Sequence, residues 1–481
     1  MIPSVDRLLF QIRKTLGGIR HKITDAEILS LLDSTDILLN EVALRQDHAF
    51  YQNQRQTGLQ LLDRAVQLNL AQQAPGTVTT PDGNVFEIQH RLEAIVSRMP
   101  LELDEAEAEF IKRINAWEIA FYAHRLTERG KRASSRSARE ITAEAFEVYL
   151  RHRFPDRPHL RVESFARLTG GFSKITILVD IHDDISGRQS IVIRAEPSVR
   201  IMEQDGLDIR REYPLVQLAY RAGLPVPEPL WLEDDAARLG LRFMVSRKAP
   251  GTNIGSLLAG SEPLGEGVLQ KLAKLLATMA RAPVRATPPG EGDPYILNKW
   301  RRYATLTEST RALVDYWRDQ ARIGKAGPSP IVQRGFDWLA ANVPLCDDGP
   351  ALVHGDMGLH NILFDKGEVA ALLDWEAAFF GDPAMDVGSI LRHAGAQAQE
   401  QDFLRAYMAY SGPAISAFRL RYFDVLHAVR MVLSTMVVLQ RVEDYDEAHI
   451  NWAVFGLRYT HGVAADIDRL IATAEAAKET V

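Results

Sequence analysis

LVHGDMGLHNILFDKGEVAALLDWEAAFFGDPAMDVG, residues 352–388, concentrates more chemistry than any other part of the chain. It sets a carboxylate, Asp356, on a loop, an amide, Asn361, five positions on, and a second carboxylate, Asp374, at the end of an apolar run. NILF and VAALLDW, joined by a DKG turn, predict a hairpin that brings Asn361 beside Asp374. Amide and carboxylate oxygens are hard ligands, the kind Mg2+ uses when phosphate oxygens and water complete its octahedron. Asp356 is then left to orient a hydroxyl and accept its proton.

Working outward, the residues before this stretch read as a small sheet. VESFARL, ITILVDI and QSIVIRAE are short, β-branched and separated by turn signals, and PEPLWLED and LRFMVSRK predict two more strands. DIRREYPLVQLAYRAG between them predicts one helix packed on the sheet and ending at Gly223. In LTGGFSKIT, Gly170, Gly171 and Ser173 sit at a strand-to-strand turn, where absent side chains let backbone N–H groups approach phosphate. A plain hairpin turn accounts for the same residues. After GTN at 251–253 the chain is mostly helical, with VLHAVRMVLSTMVVLQ a buried helix, since His427 and Arg430 interrupt it and it is too short for a membrane span.

The H-G-D-x-x-x-x-N pattern followed by D-W-E resembles the catalytic loop and metal signature of the aminoglycoside phosphotransferase and choline kinase family, relatives of the protein kinases. The resemblance covers about residues 140–470 and implies an α+β, bilobal protein-kinase-like fold. Residues 141–250 become an ATP-binding sheet lobe and 251–481 a helical lobe with the catalytic loop and acceptor site. ATP and Mg2+ are the implied cofactors, with Asp356 the catalytic residue, Asn361 and Asp374 the metal ligands, and His354 and Asp386 structural. Arg194 falls where the kinase fold requires a cation against the ATP phosphates, an arginine in place of the protein-kinase lysine, with Glu212 as its carboxylate partner. FMVSRKAPG resembles the family hinge, so the backbone of Arg247 and Ala249 would meet the adenine edge, with Ser246 as gatekeeper. Glu376 has two readings, a second-metal or substrate contact and a structural hydrogen bond. His360 reads as a loop-packing residue.

Residues 1–130 read as helices only: Val5, Leu8, Ile12 and Leu16, then Leu59, Leu62 and Val66, then Phe110, Ile114, Trp117 and Phe121 recur at helical spacing, and Thr24 with Glu27 makes a capping box. An all-α N-terminal domain is expected, followed by a basic, serine-rich linker at 131–140. Capping the pocket, forming a homodimer and docking a partner are three roles open to it.

At 481 residues two or more folding units are expected. A net charge of -7 gives no basic field for nucleic acid or an anionic membrane, and the single Cys346 allows no internal disulfide. Charges interrupt the apolar residues of MIPSVDRLLFQIRKTLGG as they would not in a secretory signal, so a cytoplasmic chain is expected. The partner is a small-molecule hydroxyl acceptor. The acidic RVEDYDEAH, 441–449, reads as a solvated helix end. LTGGFS, IVIR and the PVPEP turn resemble in layout bacterial phosphotransferases related to the kinase domain of acyl-CoA dehydrogenase fusion proteins, which implies a hydroxyacyl-CoA acceptor. The alternative is a nucleotide-binding regulatory module that has lost turnover.

Overall fold

The computed structural model describes residues 48–68, 85–96, 103–125, 141–168, 173–197, 208–256, 267–282, 303–323, 329–396, 399–444 and 450–478, with residues 35, 70, 99, 260–261 and 264. The expectations for Val5 to Leu16, for Thr24, for the 131–140 linker, for Gly170 and Gly171, and for residues 445–449 lie outside them.

Five strands form one antiparallel sheet: β1 (Arg161–Leu168), β2 (Ile175–Asp183), β3 (Gly187–Ala195), β4 (Pro229–Glu233) and β5 (Phe243–Arg247), in the spatial order β1-β2-β3-β5-β4. All five expected strands are present. Ile177, Val179 and Ile181 of β2 and Ile191, Ile193 and Ala195 of β3 are buried on one face, as the period of two requires. They pack with Phe146, Tyr149 and Leu150 of the helix Ala143–Arg153. Sequence reading placed one helix on the sheet, but there are two. The unexpected one starts at Thr142, whose side chain accepts from the Ala145 N–H, and its buried face is only three residues, too short a run to stand out as periodic.

The expected helix, Ile209–Arg221, begins at Asp208, whose side chain accepts from the Arg210 N–H. It covers the other sheet face, where Ile209 and Tyr213 pack with Met244 of β5. Met244 pairs in register with Arg194 of β3. Side-chain alternation therefore turns Arg194 away from the Ile193 and Ala195 core and toward this helix.

Four short pairings position the central loop. The hairpin of β10 (Ile362–Asp365) and β11 (Glu368–Leu372) is extended by β6 (Thr252–Asn253). β9 (Ala351–Val353) pairs with β12 (Phe379–Gly381), and β7 (Gly255–Ser256) with β8 (Gly260–Ser261). The antiparallel sheet followed by helices and the hairpin is the expected α+β order.

The chain divides into two compact units, residues 135–310 with 344–423, and residues 1–134 with 311–343 and 424–481. This differs from a helical lobe running unbroken over 251–481. Of the three boundaries within 251–481, those at 310/311 and 423/424 fall inside the continuous helices Leu306–Ile323 and Ala417–Asp444, and the one at 343/344 falls just beyond the helix Pro330–Ala341.

Within the second unit, Leu61, Leu62 and Ala65 of His48–Gln67 pack at helical spacing, while Val66 is 47% exposed, contrary to its expected place on the apolar face. A Cβ on Gly58 would lie 2.8 Å from Ile88 and 2.9 Å from Trp117, so glycine sets how closely these helices approach. The Trp117 indole N–H donates to the Gln54 carbonyl at 2.7 Å. Asp468 stands 3.7 Å from buried Arg334 and accepts from Asn115 at 3.5 Å, which ties Glu105–Arg125 and Pro330–Ala341 to Ile450–Lys478. Among the described residues, no helix is long and apolar enough to cross a membrane.

Candidate active site

The loop carrying Asp356 is fixed from behind. Asp386, on the helix Ala384–His393, is buried and accepts from the His354 N–H at 2.7 Å and the Gly355 N–H at 3.0 Å. Burial pushes the Asp386 carboxyl up, while His354 and the two N–H groups pull it down. The imidazole of His354 is fully buried, takes the Asp356 N–H on Nδ1 at 3.3 Å, and lies 2.8 Å from the Leu373 carbonyl through Nε2. Because Nδ1 accepts, the neutral ring carries its proton on Nε2 and donates to Leu373. Trp375 stands edge-on to this ring at 5.1 Å. Gly355 has φ +78°, and a Cβ there would be 2.5 Å from the Ala377 carbonyl oxygen, so a side chain would push the loop out of place. Met357 and Leu359 are buried and anchor the loop beyond Asp356, which is itself exposed.

Asn361 joins the two halves of the hairpin site. Its Nδ2 donates to the Asp356 backbone oxygen at 3.0 Å and to Asp356 Oδ2 at 3.1 Å, and its backbone carbonyl accepts from Leu373 N–H at 2.8 Å. Asp374 follows with φ 65° and ψ 63°, a left-handed conformation in which aspartate is enriched among non-glycine residues. Its Oδ1 accepts from Arg194 Nη2 at 2.8 Å, and Glu212 Oε1 lies 3.2 Å from the same nitrogen. Neither Glu212 oxygen has a hydrogen-bond partner, so that carboxylate holds Arg194 by charge alone, and Arg194 Nε is also without one. Burial opposes the Arg194 charge, but Asp374, Glu212 and Glu376 outweigh it and hold the guanidinium above its ordinary value. Burial pushes the Glu212 carboxyl up against the pull of Arg194 and Lys174.

This geometry fits a Mg2+ ion. With Nδ2 of Asn361 committed to Asp356, its Oδ1 is the end free to ligate, and Oδ2 of Asp374 is the oxygen not taken by Arg194. Among the described residues no three His, Cys, Asp or Glu side chains gather as a metal cage. Mg2+ with a nucleotide commonly takes only one or two protein ligands, the rest being phosphate and water.

Residues 184–421 match the model of the phosphotransferase enzyme family. Over that stretch, just under half of the chain, the sequence is similar to that family. Two curated proteins are similar to the chain: mouse (Mus musculus) acyl-CoA dehydrogenase family member 10, 29% identical over 206 residues, 41% of this chain and 18% of that protein, and hygromycin-B 4-O-kinase of Escherichia coli, 29% identical over 209 residues, 42% of this chain and 58% of that protein. The chain thus spans less than two thirds of either. Among solved structures, the macrolide 2'-phosphotransferase MphH from Brachybacterium faecium aligns at a TM-score of 0.43 and 17% identity, covering 65% of this chain and 98% of that one.

Sequence reading missed Lys174, a buried cation beside Glu376. Lys174, 7% exposed, donates to Glu376 Oε2 at 2.8 Å, and Ser173 Oγ donates to the same oxygen at 2.9 Å. The available signal was a lysine set between the glycine turn and the apolar strand ITILVDI, where an inward charge needs a partner. Glu376 thus accepts from two residues just ahead of β2, outside its own loop. At the hinge, the Arg247 N–H donates to the Glu228 carbonyl at 2.9 Å and its side chain to Glu228 and Gln189. An adenine contact at Arg247, the last residue of β5, would therefore use its carbonyl, with Ala249 two residues on in the coil that follows.

His360 packs against His393, ring centroids 5.6 Å apart. Burial first, then His360, depresses the His393 imidazole to about 4, against Asp356, which raises it, and with Arg392, which lowers it further. Below its ordinary value of 6.5 the unfolded chain takes up this proton before the folded one does. The histidine's contribution is complete above that value and is lost as pH falls toward about 4. Replacing His393 by Phe is expected to reduce the fall in urea midpoint between about pH 7 and pH 5. An unchanged fall would remove His393 as the group responsible.

Proposed function

We propose that the chain transfers the γ-phosphate of ATP, in a Mg2+-dependent reaction, to a hydroxyl of a small molecule, with a hydroxyacyl-CoA as the acceptor. The observation that carries this reading is the link from Asp356 through Asn361 to Asp374, with Arg194 on the last. It gathers a base, two hard-oxygen ligands and a cation in one compact unit.

Asp356 Oδ2 is occupied by Asn361, so Oδ1 is the oxygen that would receive the acceptor's hydroxyl proton as its oxygen attacks phosphorus. A Mg2+ ion on Asn361 and Asp374 would supply charge neutralisation to the transferred phosphoryl group. Arg194, held by Asp374 and Glu212 with its side chain 18% exposed, would present its positive charge to phosphate oxygens. His354 and Asp386 hold the loop backbone and touch no reacting atom.

Similarity to acyl-CoA dehydrogenase family members supports an acyl thioester acceptor, and similarity to hygromycin-B 4-O-kinase and to viomycin phosphotransferase supports the broader class of hydroxyl and antibiotic acceptors. Incubating the purified chain with Mg-ATP and, separately, hydroxyacyl-CoAs of graded length, hygromycin B and viomycin, followed by mass spectrometry, tests both levels. A phosphate mass gain on a hydroxyacyl-CoA is expected. A gain only on an antibiotic would replace the acceptor, and no gain on any compound with no ATP turnover would remove the kinase reading. Replacing Asp374 by Ala is expected to abolish the Mg2+ enhancement of AMP-PNP binding in calorimetry, and undiminished enhancement would take Asp374 out of the metal site.

A further inference from the structure

We propose that Glu376 is a positioning residue that latches the start of β2, through Ser173 and Lys174, to the loop that carries Asp374, and that this latch supports nucleotide binding. The inference rests on the phosphotransferase reading above and names a role within that same site.

Glu376 stands two residues beyond Asp374, on the short helical turn Trp375–Ala377, and its side chain is 14% exposed. One oxygen, Oε2, receives two donors from the far side of the site, Ser173 Oγ at 2.9 Å and Lys174 Nζ at 2.8 Å. Both donors lie at the point where the glycine-rich turn enters β2, directly beside Arg194, since Thr176 of β2 pairs with Arg194 of β3. Lys174 is 4% exposed at the side chain, so the ion pair is shielded from solvent and its geometry is tight. Two donors, an ammonium and a hydroxyl, converge on Oε2 and turn the carboxylate toward the start of β2. The latch ties the strand that ends the turn to the loop that carries Asp374. An ordered turn can present its backbone N–H groups to phosphate without first losing conformational freedom.

Calorimetric titration of the full chain with AMP-PNP, across a series of Mg2+ concentrations, separates these roles. Glu376→Gln keeps an acceptor for Ser173 and removes the charge on which Lys174 sits. It is expected to weaken Mg-AMP-PNP binding roughly tenfold with the Mg2+ concentration for half-maximal effect unchanged. Lys174→Met/Glu376→Gln removes both charges together, and its loss is expected to be no greater than that of Glu376→Gln, the mark of two residues acting as a unit. Should a charge variant fail to fold, Ser173→Ala, which leaves the ion pair in place, is expected to weaken binding about threefold. Wild-type nucleotide affinity in Ser173→Ala and in every folded charge variant would overturn the latch. A raised Mg2+ requirement at unaltered saturating affinity would overturn it in favour of a metal ligand. Absence of Mg-AMP-PNP binding by the wild-type chain would overturn the phosphotransferase reading itself, and the latch with it.

Discussion

An Asp356→Asn chain is expected to bind Mg-AMP-PNP as the wild type does and to transfer phosphate roughly two to four orders of magnitude more slowly. The substitution is nearly isosteric. The Asp356 N–H stays on His354 Nδ1, and the amide oxygen of an asparagine still accepts from Asn361 Nδ2, so the loop keeps its shape. What disappears is a carboxylate able to take the hydroxyl proton as the new O–P bond forms. Phosphoryl transfer depends chiefly on positioning and charge, so a residual rate remains. Single-turnover phosphorylation of the acceptor found in the compound panel, beside calorimetry, measures both halves of the claim. Equal transfer rates in the two proteins would end the assignment of Asp356.

The second large effect concerns the frame. Arg419 meets Asp382 through two parallel bonds, Nε to Oδ2 at 2.9 Å and Nη2 to Oδ1 at 2.6 Å, and its Nη1 donates to the Ala414 carbonyl at 2.9 Å. Both side chains are buried. Asp382 Oδ1 also accepts from the Ala384 N–H at 2.8 Å and so begins the helix that carries Asp386. Arg419→Met strands a carboxylate in the interior and should cost about 3–5 kcal/mol in urea unfolding. Arg419→Met/Asp382→Asn removes both charges and should recover most of that loss, because an unpaired buried ion, more than the missing contact, is what destabilises. A single variant as stable as wild type would show that water reaches the carboxylate.

Much of this site could be read before any coordinates. Asp356, Asn361 and Asp374 stand out in the sequence because two carboxylates and an amide at that spacing can be presented by one loop and one hairpin, and that spacing is local. The five strands announced themselves by β-branched alternation, and Gly223 by its place after a helical run. Other features stayed hidden because their partners are far away in sequence. Lys174 acquires meaning from Glu376, 202 residues on, and Asp382 from Arg419, 37 residues on. Val66 looked like part of an apolar face, yet only packing decides which three residues of a loose repeat turn inward.

The amino-acid order alone determined the five strands of the sheet, the helix Ile209–Arg221 packed on it and the residue pattern of the central loop. These follow from side-chain periodicity and short-range spacing, which a linear chain carries in itself. Tertiary structure alone decided that Arg194 rests on Asp374, that Glu376 accepts from Ser173 and Lys174, and that residues 311–343 and 424–481 cluster with the first 134. Contacts of that kind arise when buried charges find one another across long loops, and no local pattern in the chain encodes which distant carboxylate a cation will meet.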